Sequence, residues 1–189
     1  MRSMMAALLL AAGACGAAPA ASDHPGTATA TATAAARAVS PVEEARRCLR
    51  GSEHAPANLP RAFQLFSGAA KAGDPLAAYY LGMMYKNGMA VARDGKAAAQ
   101  WLQFAANRQM PAAMFALANL YLSGDGVKRD EQAARRLIEK AADLEYPEAV
   151  MAMAIGLRDG SMGFDRNEAL AETQMRFANR ALAKRVPAM

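Results

Sequence analysis

The chain has 189 residues, 53% of them hydrophobic and only 6% aromatic, with a formal charge of +5 from 22 Lys and Arg against 17 Asp and Glu. That is enough chain for one domain with a real core. The excess of Ala and Met over β-branched and aromatic residues argues against a sheet, and the scattered basic residues argue against the dense stripe that nucleic acid calls for.

The chain opens with "MRSMMAALLLAAGACG", in which Arg2 precedes a short apolar run and the small residues Ala12, Gly13 and Ala14. A run this short cannot stay across a hydrocarbon core of about 30 Å, so no transmembrane helix is expected in the mature chain. It fits an export signal over residues 1–14. Cys15 then has two readings. Cleavage before a Cys that follows small residues resembles the bacterial lipoprotein signal, which makes Cys15 a candidate lipidation site, although Ala12 stands where that signal prefers Leu. An ordinary signal cut before Cys15 or after Ala20 is the alternative.

Residues 15–40 form an Ala, Thr and Pro tract with no face to bury, read as a flexible linker. With Cys15 lipidated or removed, Cys48 has no partner in the chain, so the fold cannot depend on a disulfide. Cys48 is expected to be a small buried thiol. His24 in the linker and His54 in a loop are isolated, and no metal or cofactor is expected.

From residue 75 the chain aligns with itself at an offset of 36. Pro75, Pro111 and Pro147 coincide, as do Ala77, Ala113 and Ala149, then Leu81, Leu117 and Met153. Gly88, Gly124 and Gly160 follow, then Ala97, Ala133 and Ala169, and Ala106, Ala142 and Ala178. Such a register, held without an insertion, is the mark of a repeat architecture.

Each unit reads as two helices. Residues 75–86 place Ala77, Ala78, Leu81 and Tyr85 on one face, with Pro75 in the first turn. Gly82 becomes Ala118 and Ala154, which predicts a close approach of two helices. Gly88, Gly124 and Gly160 fall where a helix ends with positive φ. Asp94 and Asp130 precede the second helices as caps, and those helices are expected over about 95–107, 131–143 and 167–179. In the last unit Arg166 stands in the place of the capping Asp, and Thr173 in the place of Trp101 and Leu137. Stepping back one unit gives a pair formed by residues 41–50 and the segment containing Leu65, Phe66, Ala69 and Ala70.

The turn "SGDGVKRDEQAA" invites comparison with a calcium loop. Such a loop needs alternating oxygen ligands and a closing Glu at its twelfth position, whereas this one sets Lys128 and Arg129 beside Asp125 and has no such Glu. It is expected to be a structural turn.

The series Leu81-Gly82, Tyr85, Gly88, Val91, Asp94, Ala97, Trp101 and Ala105-Ala106 is matched by Leu117, Tyr121, Gly124, Gly126, Val127, Asp130, Ala133, Ala141 and Ala142. It resembles the Sel-1-like repeat family, relatives of the tetratricopeptide repeats (TPR). The resemblance implies an all-α, TPR-like superhelical solenoid of stacked antiparallel helix pairs, serving as a scaffold or adaptor for other proteins. It spans residues 41–185 as four pairs, 39–74, 75–110, 111–146 and 147–185. Some secreted relatives carry a cysteine pair in each repeat, a pattern from which the lone Cys48 departs.

In a curved array the first helices line the inner surface. Spacing from the core positions puts Leu76, Tyr80, Met83 and Asn87 on the outward part of that face, with Asn119 and Ser123 as counterparts one unit on. Tyr80 and Met83 offer apolar anchor area and the Asn side chains offer hydrogen bonds, although Met83 also suits packing between repeats. No catalytic constellation stands out. Glu43 and Glu44 are neighbours on different parts of a helix, and Ser123 has no His near it in sequence.

The sequence thus points to an exported scaffold in the bacterial envelope, periplasmic or lipid-anchored, with a protein partner and no chemistry of its own. The alternative is an envelope- or antibiotic-directed hydrolase on the same scaffold. Arg135, Arg136, Lys140, Arg176, Arg180, Lys184 and Arg185 make a basic flank, but Glu139, Glu145 and Glu148 interrupt it. Nucleic acid is not expected, and anionic lipid suits the C-terminal helix better.

Overall fold

The computed structural model describes residues 40–51 and 56–183. The signal segment, Cys15, the linker with His24, and His54 lie outside them. Among the described residues the chain forms α1 (Pro41–Arg50), α2 (Leu59–Lys71), α3 (Pro75–Asn87), α4 (Gly95–Ala106), α5 (Pro111–Ser123), α6 (Glu131–Asp143), α7 (Pro147–Asp159) and α8 (Glu168–Ala183). Each helix packs chiefly on the one before it and the one after it in sequence, more extensively within a pair than between pairs. This is the all-α solenoid of stacked antiparallel helix pairs that the repeat implies.

Local chemistry explains where each helix starts and stops. The first helix of each later pair opens on Pro75, Pro111 or Pro147, whose fixed φ and missing N–H suit a first turn. Each ends on Gly88, Gly124 or Gly160 at φ of 68°, 73° and 68°, where a side chain would be strained. The second helices of the middle pairs are capped by Asp94 and Asp130, whose carboxylates accept from the Ala97 and Ala133 N–H groups at 2.9 and 2.8 Å.

The core is a column of small and medium side chains. Ala77, Ala78, Leu81, Ala98, Leu102, Leu117 and Ile138 are buried, and Tyr85 is only half-buried, packed edge-on against Phe63. Gly82 marks the expected close approach: a Cβ there would lie 2.8 Å from Leu102 Cγ and 3.2 Å from the Ala98 carbonyl. Cys48 is half-buried against the core rather than fully enclosed, because α1 is covered by a second helix on one side only among the described residues.

The successive turns lock onto one another, backbone against backbone. A Cβ on Gly126 would run into the Gly95 carbonyl group, and Asp125 reaches Arg93 of the preceding turn at 2.6 Å. The acidic residues of "SGDGVKRD" are therefore an inter-turn ion pair at Asp125 and a cap at Asp130.

The fourth pair corrects the alignment. Gly88, Gly124 and Gly160 face the Cβ atoms of Arg93, Arg129 and Arg166, so Arg166 is the counterpart of Arg129 and does not replace the cap. The cap is Asn167, whose side chain accepts from the Leu170 N–H at 3.0 Å, and α8 starts one residue late. Gly163 rather than residue 162 meets the preceding helix start, its Cβ position lying 2.9 Å from the Glu131 carbonyl, as Gly126 meets Gly95. One residue is thus inserted between Gly160 and Gly163, and the offset becomes 37. Gln174, not Thr173, then matches Leu137, and the buried Ala178 matches Ala141, not Ala142.

Candidate protein-interaction face

Two faces of the repeat array offer chemistry: the first-helix side and the groove at the C-terminal end. On the first-helix side, Tyr80 is half-buried. Its ring stacks on Phe66 of α2 at 4.8 Å, meets Tyr79 at 5.3 Å and has the Arg46 guanidinium 6.0 Å from its centroid. Tyr80 and then Glu43 raise the already high pKa of Arg46, so this cation is fixed at any working pH. Tyr80 therefore joins the first two pairs while leaving part of its ring to solvent.

Leu76 and Met83 are half-buried against the core, which gives both a packing role. Asn119 is half-buried. Asn87 and Ser123 are exposed at the C-terminal ends of α3 and α5, and the Ser123 hydroxyl donates to the Leu120 carbonyl at 3.2 Å.

The residues with most to offer here were not singled out by spacing from the core. Tyr79 and Phe115 occupy the same place in successive repeats, both half-buried, and Phe115 lies 5.9 Å from Tyr146 at the start of α7. Burial first, then the neighbouring Tyr80 and Glu148, hold the Tyr79 phenol protonated above its usual range. Glu148 belongs to α7, two pairs along, so the first-helix sides of α3 and α7 stand close enough to feel each other. The 36-residue alignment contained this row: Tyr79, Phe115 and Met151 are large at one repeat position. Helical spacing drew attention instead to Tyr80, one residue on.

The end groove, of about 760 Å³, lies between α7 and α8 over Ala154, Ala171 and Met175, rimmed by Arg158, Asp159, Arg166, Glu168 and Glu172. Its carboxylates are tied up. Arg166 pairs with Glu168, Arg176 with Glu172, and the hydrogen bond from Arg158 lowers the Asp159 pKa against the opposing effect of desolvation. A general acid needs the reverse, a carboxyl that keeps its proton near neutral pH. Among the described residues no group of three or more His, Cys, Asp or Glu side chains is arranged to hold a metal.

Comparison with known proteins agrees with this geometry. The Sel1 repeat model matches residues 43–74, 75–110 and 111–146, more than half of the chain, and its matches stop before the pair with the inserted residue. A crystal structure of c5321, a protective antigen of uropathogenic Escherichia coli displaying an SLR fold, is similar with a TM-score of 0.68 and 27% identity, covering 75% of this chain and 30% of that one. A Sel1 repeat protein from Oxalobacter formigenes is similar with a TM-score of 0.65 and 26% identity, covering 75% of this chain and 40% of that one. The chain thus spans less than half the length of either. No curated protein matches it.

Proposed function

Because the chain belongs to the Sel1 repeat family, whose helix-pair arrays are general protein-interaction scaffolds, we propose that it is an exported bacterial scaffold which holds a protein partner on its first-helix side. Tyr79, Tyr80, Phe115 and Tyr146 carry the reading. They are half-buried, so their rings are held by packing and lose little freedom on binding, and aromatic groups of this kind dominate interface energetics. The residues "MRSMMAALLLAAGACG" support export to the envelope, with Cys15 as the place of a lipid anchor.

The test is capture of partners from native envelope extract with the wild-type chain and with Asn87→Arg plus Ser123→Arg. Both positions are exposed, so the substitutions add charge on the helices that carry Tyr79, Tyr80 and Phe115 without removing a packed group. The reading expects a specific partner that the double variant loses while its helical spectrum is unchanged. Equal capture by both chains sinks the placement on this face, and fractionation of the native protein to the cytoplasm sinks the envelope role.

A further inference from the structure

The last helix differs from its counterparts on the side that faces water. About 100° separates successive residues of a helix, so Ala169, Leu170, Thr173, Arg176, Phe177 and Arg180 share one face of α8, opposite the buried Ala171 and Ala178. Leu170 and Phe177 are 41% and 37% exposed. Its two carboxylates, Glu168 and Glu172, lie off this face; Glu172 pairs with Arg176 from the edge at 2.8 Å. Lys184 and Arg185 follow directly in sequence.

The same positions in α6, 37 residues earlier, hold Gln132, Ala133, Arg136, Glu139, Lys140 and Asp143, a solvated mixture of both signs with no large apolar group. In α4 they include Phe104, but the Arg108 guanidinium lies over that ring at 3.6 Å. Only in α8, among these three, are large apolar side chains left uncovered beside cations with no acid between them.

We propose that this face of α8 docks on an anionic lipid surface, with Phe177 and Leu170 entering the headgroup boundary and Arg176 and Arg180 meeting lipid phosphates. Both halves of the pattern are needed for this occupant. A helix lying in the interface buries apolar groups shallowly and gains from each cation near the negative surface. Guanidinium groups pair well with phosphate oxygens, whereas a nucleic-acid duplex would use the cations and leave Leu170 and Phe177 in water. The surface is separate from the first-helix side, so a protein partner and a membrane need not compete.

The experiment uses the full-length chain with Cys15→Ser, which removes any lipid anchor, sedimented with phosphatidylcholine vesicles and with mixed phosphatidylcholine and phosphatidylglycerol vesicles. The expected result is association with the phosphatidylglycerol vesicles alone, released by added salt. Arg176→Glu plus Arg180→Glu, exposed positions that leave the core intact, should weaken partition by roughly tenfold or more. Phe177→Ser should weaken it several-fold while the salt dependence stays. Equal association with both vesicle types, no association, or a double variant that binds like the parent overturns the proposal. Equally tight binding to duplex DNA at the same salt also overturns it, since the face would then be a general polyanion site.

Discussion

The third and fourth helix pairs carry nearly the same plan and solve its packing in opposite ways. In the third, α5 places Leu120 at full burial and the turn carries Val127. In the fourth, the matching positions are Gly156 and Phe164. Phe164 fills the space, so close that a Cβ on Gly156 would lie 2.6 Å from its ring. The larger turn residue comes with the extra residue before Gly163, and Arg135 of α6 holds the lengthened turn by donating to the Gly163 carbonyl at 3.0 Å with its guanidinium 5.2 Å from the Phe164 ring. A repeat position is thus defined by the volume to be filled, and which segment fills it is free to change. That is a route by which a terminal unit departs from its neighbours without losing its seat.

The sharpest break of this comparison is at the paired core positions Leu117 and Met153. Leu117 is 1% exposed between two pairs, so Leu117→Ala should cost about 3 kcal/mol in urea unfolding. Met153→Ala, half-buried where no further pair stacks among the described residues, should cost about 1 kcal/mol or less; equal losses would mean the fourth pair is as enclosed as the third. Next comes the turn lock. Gly126→Ala drives a Cβ into the Gly95 backbone and should cost about 2 kcal/mol, more than Gly163→Ala, which shares the positive φ but brings its Cβ no nearer than 2.9 Å, to the Glu131 carbonyl oxygen.

Smaller effects refine the picture. Asp130→Ala and Asn167→Ala should each lose about 1 kcal/mol, and the second result tests the one-residue shift directly, since an uninserted alignment assigns Asn167 no capping role. Gln109 and Glu145 sit at φ of 58° and 56° in the link between pairs, where the first link uses Gly73. Gln109→Gly should therefore stabilise by about 0.5 kcal/mol, read as a higher urea midpoint. The least effect is at alkaline pH. The folded chain holds the Tyr79 proton more tightly than the unfolded chain does, so this contribution is full below the ordinary phenol pKa and fades as pH rises through the folded value. A Tyr79→Phe variant should lose less stability than wild type above pH about 10.

The architecture was readable in the sequence because it is stated several times over. A Pro, a Leu row, a Gly and an Asp recurring at one interval leave few alternatives, and the caps Asp94 and Asp130 and the close approach at Gly82 are where the pattern put them. The fourth pair misled because the Ala positions survive a shift of one: in a chain so rich in alanine, Ala141 and Ala142 each offer a match for Ala178. The strain at Gln109 and Glu145 had no signal, since neither residue type announces positive φ. On the candidate face, spacing from the core drew attention to Tyr80 and passed over Tyr79 and Phe115, because the contact between Phe115 and Tyr146 crosses from one pair to the next.

Because each described helix is packed chiefly on its neighbours in sequence, the helical array can form without bringing distant helices together first, which is the low contact order associated with rapid folding. The same wiring sets how the protein yields to load. Among the described residues no clasp joins the first helix to the last, so under a pull on α1 and α8 the array should pay out pair by pair, each rupture leaving the remaining stack able to bear force.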